Sequence, residues 1–435
     1  MKQLYPNSYL AELLLQLKIQ RNYVKGEGAW LEDGEGRRVL DFLAGYGSLP
    51  FGHNPTRINN AVIAAMGTGR PVMVQMSNSE ISSDLVRRLL SIVPPDLKHV
   101  VFANSGTEAI EASIKAARSA TKRSKIVTAN NGFHGKTLGA LAATGQPHYQ
   151  EGFFVSRDMF YYVDYDDLNA LDCLLASERE SIAAVLLEPI QGEGGVIVPS
   201  SGYLRGVREL CDKYELLMIV DEIQTGLGRT GVLFECLEAG VTPDCITVAK
   251  TLGGGVMPIG ACIMNDKIYQ RDFAMRHTST FAGNGMACVV GSAVIDYLLE
   301  DDKALLKHVN YISGYLRQKI DEVLSKYRPA FDIQLRGKGL MLGLHFDVDE
   351  GKYQSSSPLL NVIMEAGNLV PILVSYLLNI EGVRVAPTLN GKNVLRVQPP
   401  FTIDRQECDF FSAALDRGLS HLTSGKVSKL VECFC

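Results

Sequence analysis

Short apolar runs recur between His99 and Leu252, at residues 99–103, 125–129, 182–187, 216–220 and 245–249. Each gives way to a polar or glycine-containing turn and then to a stretch with helical spacing. No other feature constrains the fold as strongly. Apolar runs flanked by helices in this order predict a mostly parallel sheet covered by helices on both faces. In sheets of this kind ligands sit beyond the carboxyl ends of the strands. Ser105, Glu188, Asp221 and Lys250 each follow a run, so the sheet is expected to bring them to one edge.

At 435 residues the chain is longer than one core usually organises, which predicts two domains. Beyond about Glu300 the texture changes to a long charged helix and then to β-like segments at residues 340–346 and 394–397. Residues 23–43, with a turn at Asp33 and Gly34, have the same β-like character. The expected division is 1–60 as the N-terminal part of a smaller α/β domain, 61–305 as the large ligand-binding domain, and 306–435 as the C-terminal part of the smaller one.

A net charge of −5 without a basic cluster argues against a nucleic-acid surface. Nine cysteines without paired spacing, several inside apolar runs, read as reduced core thiols in a cytoplasmic protein. The pair Cys433 and Cys435 has no matching cysteine or histidine pair, so no metal site is expected. Residues 1–20 read as an amphipathic surface helix, and no segment has the uninterrupted apolar length to cross a membrane.

Lys250 ends the run 245–249 and opens onto Gly253, Gly254 and Gly255, where backbone can approach a ligand closely. Asp221 ends the run before it. An aldehyde cofactor with a pyridine ring needs both: an amine for a Schiff base and a carboxylate that keeps the ring nitrogen protonated. Pyridoxal 5'-phosphate is the cofactor this pair suggests. Ser105, Gly106 and Thr107 join a strand to a helix; taken alone they are an ordinary cap, and taken with Lys250 they form a phosphate cradle. Phe133 before His134 and Gly135 is either core or a ring-stacking aromatic. Glu188 and Glu193 lie on a glycine-rich loop able to move, and Gln224 follows a buried strand end that must satisfy its polar groups.

Taken together these segments resemble class III, fold-type I aminotransferases dependent on pyridoxal phosphate. The likeness rests on Ser105 to Ala109, Phe133 to Gly135, Glu188-Pro189, Gly192 to Gly195, Asp221-Glu222, Gln224 to Gly226, Gly228 to Gly231, Lys250, Gly253 to Gly255, Thr280-Phe281 and Gly283-Asn284, in family order. The resemblance implies Lys250 as the Schiff-base and proton-moving lysine and Asp221 as partner of the ring nitrogen. It implies Gln224 at the ring hydroxyl, Phe133 and Ile223 on the ring faces, and Gly106 and Thr107 on the phosphate, with Ser105, His134 and Glu188 also in the cofactor site. Thr280 would reach the phosphate from a second subunit, which implies a homodimer with shared active sites. Arg396 would grip a substrate carboxylate, and Glu193 would pair with that arginine when the substrate brings an amine instead.

Within the family the stretches 133–140 and 253–260 are most similar to the putrescine type, which also has lysine at the position of Lys136, where many glutamate-binding relatives have arginine. A lysine offers a point charge and no fork for a distal carboxylate. The implied activity is transfer of an amino group between an ω-amine or diamine, or its aldehyde, and a keto acid such as 2-oxoglutarate. Acylornithine, ornithine, 4-aminobutyrate or a biosynthetic aldehyde remain alternative substrates, and an aminomutase of the glutamate-semialdehyde type an alternative reaction.

Overall fold

The computed structural model describes residues 7–74, 77, 79–328, 332–347, 363–364, 367–391, 393–424 and 427–432. Cys433 and Cys435 lie outside the described residues. Seven strands form the central sheet in the order Leu97–Ala103, Gly260–Asn265, Cys245–Val248, Leu217–Asp221, Ile182–Leu187, Lys125–Ala129 and Phe160–Val163. Gly260–Asn265 runs antiparallel to both its neighbours, and every other pairing is parallel. The sheet is therefore the mostly parallel one expected, with one reversed strand.

The interior strands explain the apolar runs. Every residue of Ile182–Leu187, Leu217–Asp221 and Cys245–Val248 is buried, because helices cover both faces and leave no solvent side to be polar. On one face the helix Gly106–Thr121 packs Ala109, Ile110, Ala112 and Ala116 against the sheet, the small residues allowing close approach. On the other a larger core takes in Leu85, Leu89, Val290, Val294 and Leu298 from the helices Glu80–Ser91 and Gly285–Ser325.

The charged helix expected after Glu300 starts earlier, at Gly285, and is broken where Asp301, Asp302 and Lys303 turn to positive φ. Beyond the break it packs on Arg405–Thr423, whose start carries a capping box between Asp404 and Glu407. The described residues also form two smaller sheets. One joins Tyr23–Glu27, Trp30–Asp33 and Arg38–Asp41 to Val383–Arg384, so it draws on both ends of the chain; the other contains Asp332–Lys338, Met341–Asp347, Val394–Val397 and Ala386–Pro387. The first described residues form a short helix, Ser8–Gln16, that buries only Ala11. No described helix is long and apolar enough to cross a membrane. The seven described cysteines are unpaired, and all but Cys173 are buried.

Candidate active site

A cavity of about 550 Å³ opens at the carboxyl edge of the central sheet. Ser105, Gly106, Thr107, Phe133, His134, Lys136, Glu188, Glu193, Asp221, Ile223, Gln224 and Lys250 all line it, so one site gathers residues spread from 105 to 250. Thr280 does not line it and is exposed. Its neighbour Ser279 accepts a hydrogen bond from Asn104 Nδ2 at 2.9 Å, and Asn104 is on the cavity wall.

The lysine follows strand Cys245–Val248 and begins a single 3₁₀ turn, Lys250–Gly253, with φ of 37°. A non-glycine residue tolerates that region only where the surroundings enforce it. Burial lowers the amine's pKa; the Glu193 charge opposes this, the Arg396 charge reinforces it, and the net value lies below that of an ordinary lysine.

Asp221 ends its strand 4% exposed, with Oδ1 accepting from the Ile223 amide at 3.1 Å and from Thr247 Oγ1 at 3.3 Å. His134 Nδ1 donates to Oδ2 at 2.8 Å. The imidazole is itself buried, and its backbone amide donates to Thr144 Oγ1 at 3.0 Å. Three donors therefore fix the carboxylate, and the His134 side chain is spent on orienting it.

Glu188 holds two loops together. Oε1 accepts from the Phe133 amide at 2.9 Å and Oε2 from the Gly192 amide at 3.0 Å. Burial pushes this carboxyl up to about 7, although His134 and both amides pull the other way.

At the opposite wall Ser105 caps the helix Gly106–Thr121, its Oγ accepting from the Glu108 amide at 3.2 Å. The amide end of this helix faces the cavity. Space there is tight: a Cβ on Gly135, whose φ is +129°, would lie 2.3 Å from Thr107 Oγ1, and one on Gly106 would lie 2.9 Å from Ile223 Cδ1. Gln224 is buried, and its Oε1 has no partner among the described residues.

Arg396 reaches the site from the strand Val394–Val397 of a smaller sheet and is 1% exposed. It pairs with Glu193, and its guanidinium lies 5.2 Å from the Tyr46 ring. Burial raises the Glu193 carboxyl, but the Arg396 charge and hydrogen bond outweigh it and hold the group below its ordinary value. The loop carrying Glu193 is fixed at its backbone too, since its carbonyl accepts from the amides of Asn390 at 2.8 Å and Gly391 at 2.9 Å. Lys136 is exposed at the mouth, its Nζ 4.9 Å from the centre of the Tyr149 ring.

Sequence reasoning missed Ser48 and Asn104, which line the cavity, and Tyr46, which faces Arg396. Gly45 and Gly47 around Tyr46 were the available signal. Residues 255–259, singled out only as a likeness, form a further stretch of wall. Arg229 lies behind, fully buried and with no carboxylate among its described hydrogen-bond partners. It donates to the carbonyls of Leu340 at 3.1 Å, Pro399 at 2.5 Å and Gly47 at 3.5 Å.

Comparison with known proteins gives one answer. The family model described as aminotransferase class-III matches residues 16–419. A putrescine aminotransferase from Pectobacterium atrosepticum is 36% identical over 87% of this chain and 78% of its own length. The aminotransferase PigE of a Serratia species is 34% identical over 94% of this chain, which spans only 51% of that protein. Among solved structures, taurine:2-oxoglutarate aminotransferase from Bifidobacterium kashiwanohense, in complex with PLP and glutamate, superposes with a TM-score of 0.83. It is 27% identical and covers 98% of this chain and 99% of its own.

Proposed function

The chain belongs to the class III aminotransferase family, and from that premise we propose that it transfers an amino group from an ω-amine or diamine of the putrescine type to a keto acid such as 2-oxoglutarate, with pyridoxal 5'-phosphate as cofactor. One observation carries this reading: a lysine of lowered pKa, a histidine-braced aspartate and Glu193, which is closed onto Arg396 behind it, line one cavity.

The residues present fit the cofactor. Gly106 and Gly135 leave room that a Cβ would fill, beside a capped helix end suited to a phosphate, and the orphaned Gln224 Oε1 suits a ring hydroxyl. Lys250 would hold the aldehyde carbon, Asp221 the ring nitrogen, Phe133 and Ile223 the ring faces, and Gly106 and Thr107 the phosphate. Thr280 of a second copy would complete the phosphate site, in a cytoplasmic homodimer. When bound, the cofactor supplies an electron sink that makes a proton on the substrate's α-carbon removable.

The protein's part is to move that proton and to sort substrates. A buried amine of lowered pKa is neutral more often at working pH, so the Lys250 side chain can take the proton from the α-carbon, hold it and give it back. His134 keeps Asp221 aimed through the hydrogen bond from its ring. Glu193 neutralises Arg396, so an amine lacking a carboxylate enters without facing a buried cation. A keto acid must break that pair to reach the guanidinium, whose fork then suits its planar carboxylate.

The test is a panel of diamines, ω-amines and amino acids against 2-oxoglutarate and pyruvate, scored by the glutamate or alanine formed. Putrescine and cadaverine are expected to donate. If they fail while acylornithine or 4-aminobutyrate succeeds, the substrate is wrong and the family stands. Lys250→Ala is expected to lower turnover by at least about a thousandfold, and near-normal turnover in that variant would overturn the role of the lysine.

A further inference from the structure

A second cavity, of about 410 Å³, lies on the far side of the loop that carries Glu193. Its wall includes Asn131, Gln146, Gly194, Arg336, His345 and Asn390. No carboxylate lines it among the described residues. One loop serves both cavities: Glu193 lines the first, and its neighbour Gly194 lines the second. Asn390 and Gly391, also on the second wall, donate their amides to the Glu193 carbonyl, and Leu389 donates its amide to Glu193 Oε2 at 3.0 Å.

The cationic side of this cavity is built on two paired strands, Asp332–Lys338 and Met341–Asp347. Arg336 Nη2 donates to Gln334 Oε1 at 2.9 Å and lies 2.9 Å from His345 Nδ1. A guanidinium only donates, so the ring must accept at Nδ1 and carry its proton on Nε2. The guanidinium is thereby oriented by two neighbours on a rigid sheet, and it keeps further N–H donors beyond the Nη2 pair. Burial lowers the Arg336 pKa, and the Asp347 charge opposes it without cancelling it. At the rim Gln146 Nε2 donates to Asn131 Oδ1 at 3.4 Å and has a second N–H, while Asn390 Nδ2 donates to the carbonyls of Asn131 at 2.9 Å and Gly132 at 3.2 Å.

We propose that this second cavity binds a small carboxylate-bearing anion, held by Arg336, and that its occupant clamps the 192–195 loop and so changes how readily Glu193 leaves Arg396. The binding half stands on the cavity alone, whereas the coupling half rests on the substrate switch proposed above. An occupant braced against Gly194 and Gly391 would hold the loop with Glu193 inward, favouring amines over keto acids.

Citrate is a suitable probe, titrated calorimetrically into the full-length holoenzyme. Binding is expected in the wild type and in Arg396→Gln, and at least about tenfold weaker in Arg336→Gln. Gln146→Leu, on a different element, is expected to weaken binding too and covers the case in which Arg336→Gln fails to fold. Saturating citrate is expected to raise the apparent KM for the keto acid about fivefold in the wild type and to leave it unchanged in Arg336→Gln. Absence of binding to the wild type, equal binding by Arg336→Gln, or binding lost in Arg396→Gln alone would overturn the site. Binding with no change in KM would overturn the coupling. If no amine donates at all, the titration still decides the site independently of the proposed reaction.

Discussion

Glu222 follows Asp221 in sequence, is 1% exposed, and accepts hydrogen bonds from the Cys236 amide at 2.8 Å and Thr225 Oγ1 at 2.5 Å. Burial raises its carboxyl from the ordinary 4.5 to about 7. A folded-state pKa above the unfolded one makes a contribution to stability that is complete below the unfolded value and lost as pH rises through the folded one. The gap between 4.5 and about 7 corresponds to roughly 3 kcal/mol. Urea unfolding followed from about pH 5 to about pH 8.5 should therefore show stability falling in the wild type and falling less in Glu222→Gln; parallel curves would refute this account. Gly135 offers a second residue-scale test. With φ of +129° and Thr107 Oγ1 in the path of a Cβ, Gly135→Ala must shift the Thr107 side of the cradle. Cofactor retained after gel filtration is expected to drop at least about tenfold, with the melting temperature of the cofactor-free protein lowered only modestly.

Among elements, Glu188 does the joining. By accepting from Phe133 and Gly192 it ties the loops that follow strands Lys125–Ala129 and Ile182–Leu187. Glu188→Ala leaves the buried Gly192 amide unpaired, a cost of about 1–3 kcal/mol, and the part-buried Phe133 amide with it at a smaller cost. Amide hydrogen exchange in 131–134 and 192–195 is expected to accelerate while exchange in the sheet strands stays slow; uniform acceleration would instead indicate global destabilisation. The element scale also marks what was legible in the sequence. Ile182–Leu187, Leu217–Asp221 and Cys245–Val248 are readable because burial on both faces makes them apolar throughout. Gly260–Asn265 is just as buried, yet its reversal is a matter of pairing, which an apolar run does not encode. Phe160–Val163 sits at the sheet edge, where three of its four residues are only partly buried, and its pattern is correspondingly weak. Lys250 and Asp221 were visible because each ends an apolar run. Tyr46 lies in, and Ser48 follows, a turn in which Ala44, Gly45, Tyr46 and Gly47 all have positive φ, and backbone of that kind has no periodicity to read.

For the molecule as a whole, Arg229 is the residue at which separate parts meet. Its guanidinium serves carbonyls at Gly47, Leu340 and Pro399 and lies 4.6 Å from the centre of the Phe401 ring. Gly47 precedes Ser48 on the cavity wall, so the same contact that holds the smaller sheets to the large one also holds part of the site. Arg229→Met is expected to cost about 2–4 kcal/mol and to raise the KM for the amine as well, since the carbonyls lose their donor. Chemical denaturation and steady-state kinetics check the two effects separately, and loss of stability without any change in KM would confine Arg229 to holding the fold.

The strand Arg38–Asp41 pairs in parallel with Val383–Arg384, and the Arg384 side chain bonds Asp41 at 3.0 Å across a separation of 343 residues. A ribosome makes the first of these strands long before the second exists. Until then one edge of the N-terminal sheet is bare, and bare edges recruit whatever strand comes near. The strand Arg38–Asp41 is thus made well before its sheet can be finished, and its wait is a stage at which a chaperone or a wrong neighbour can intervene.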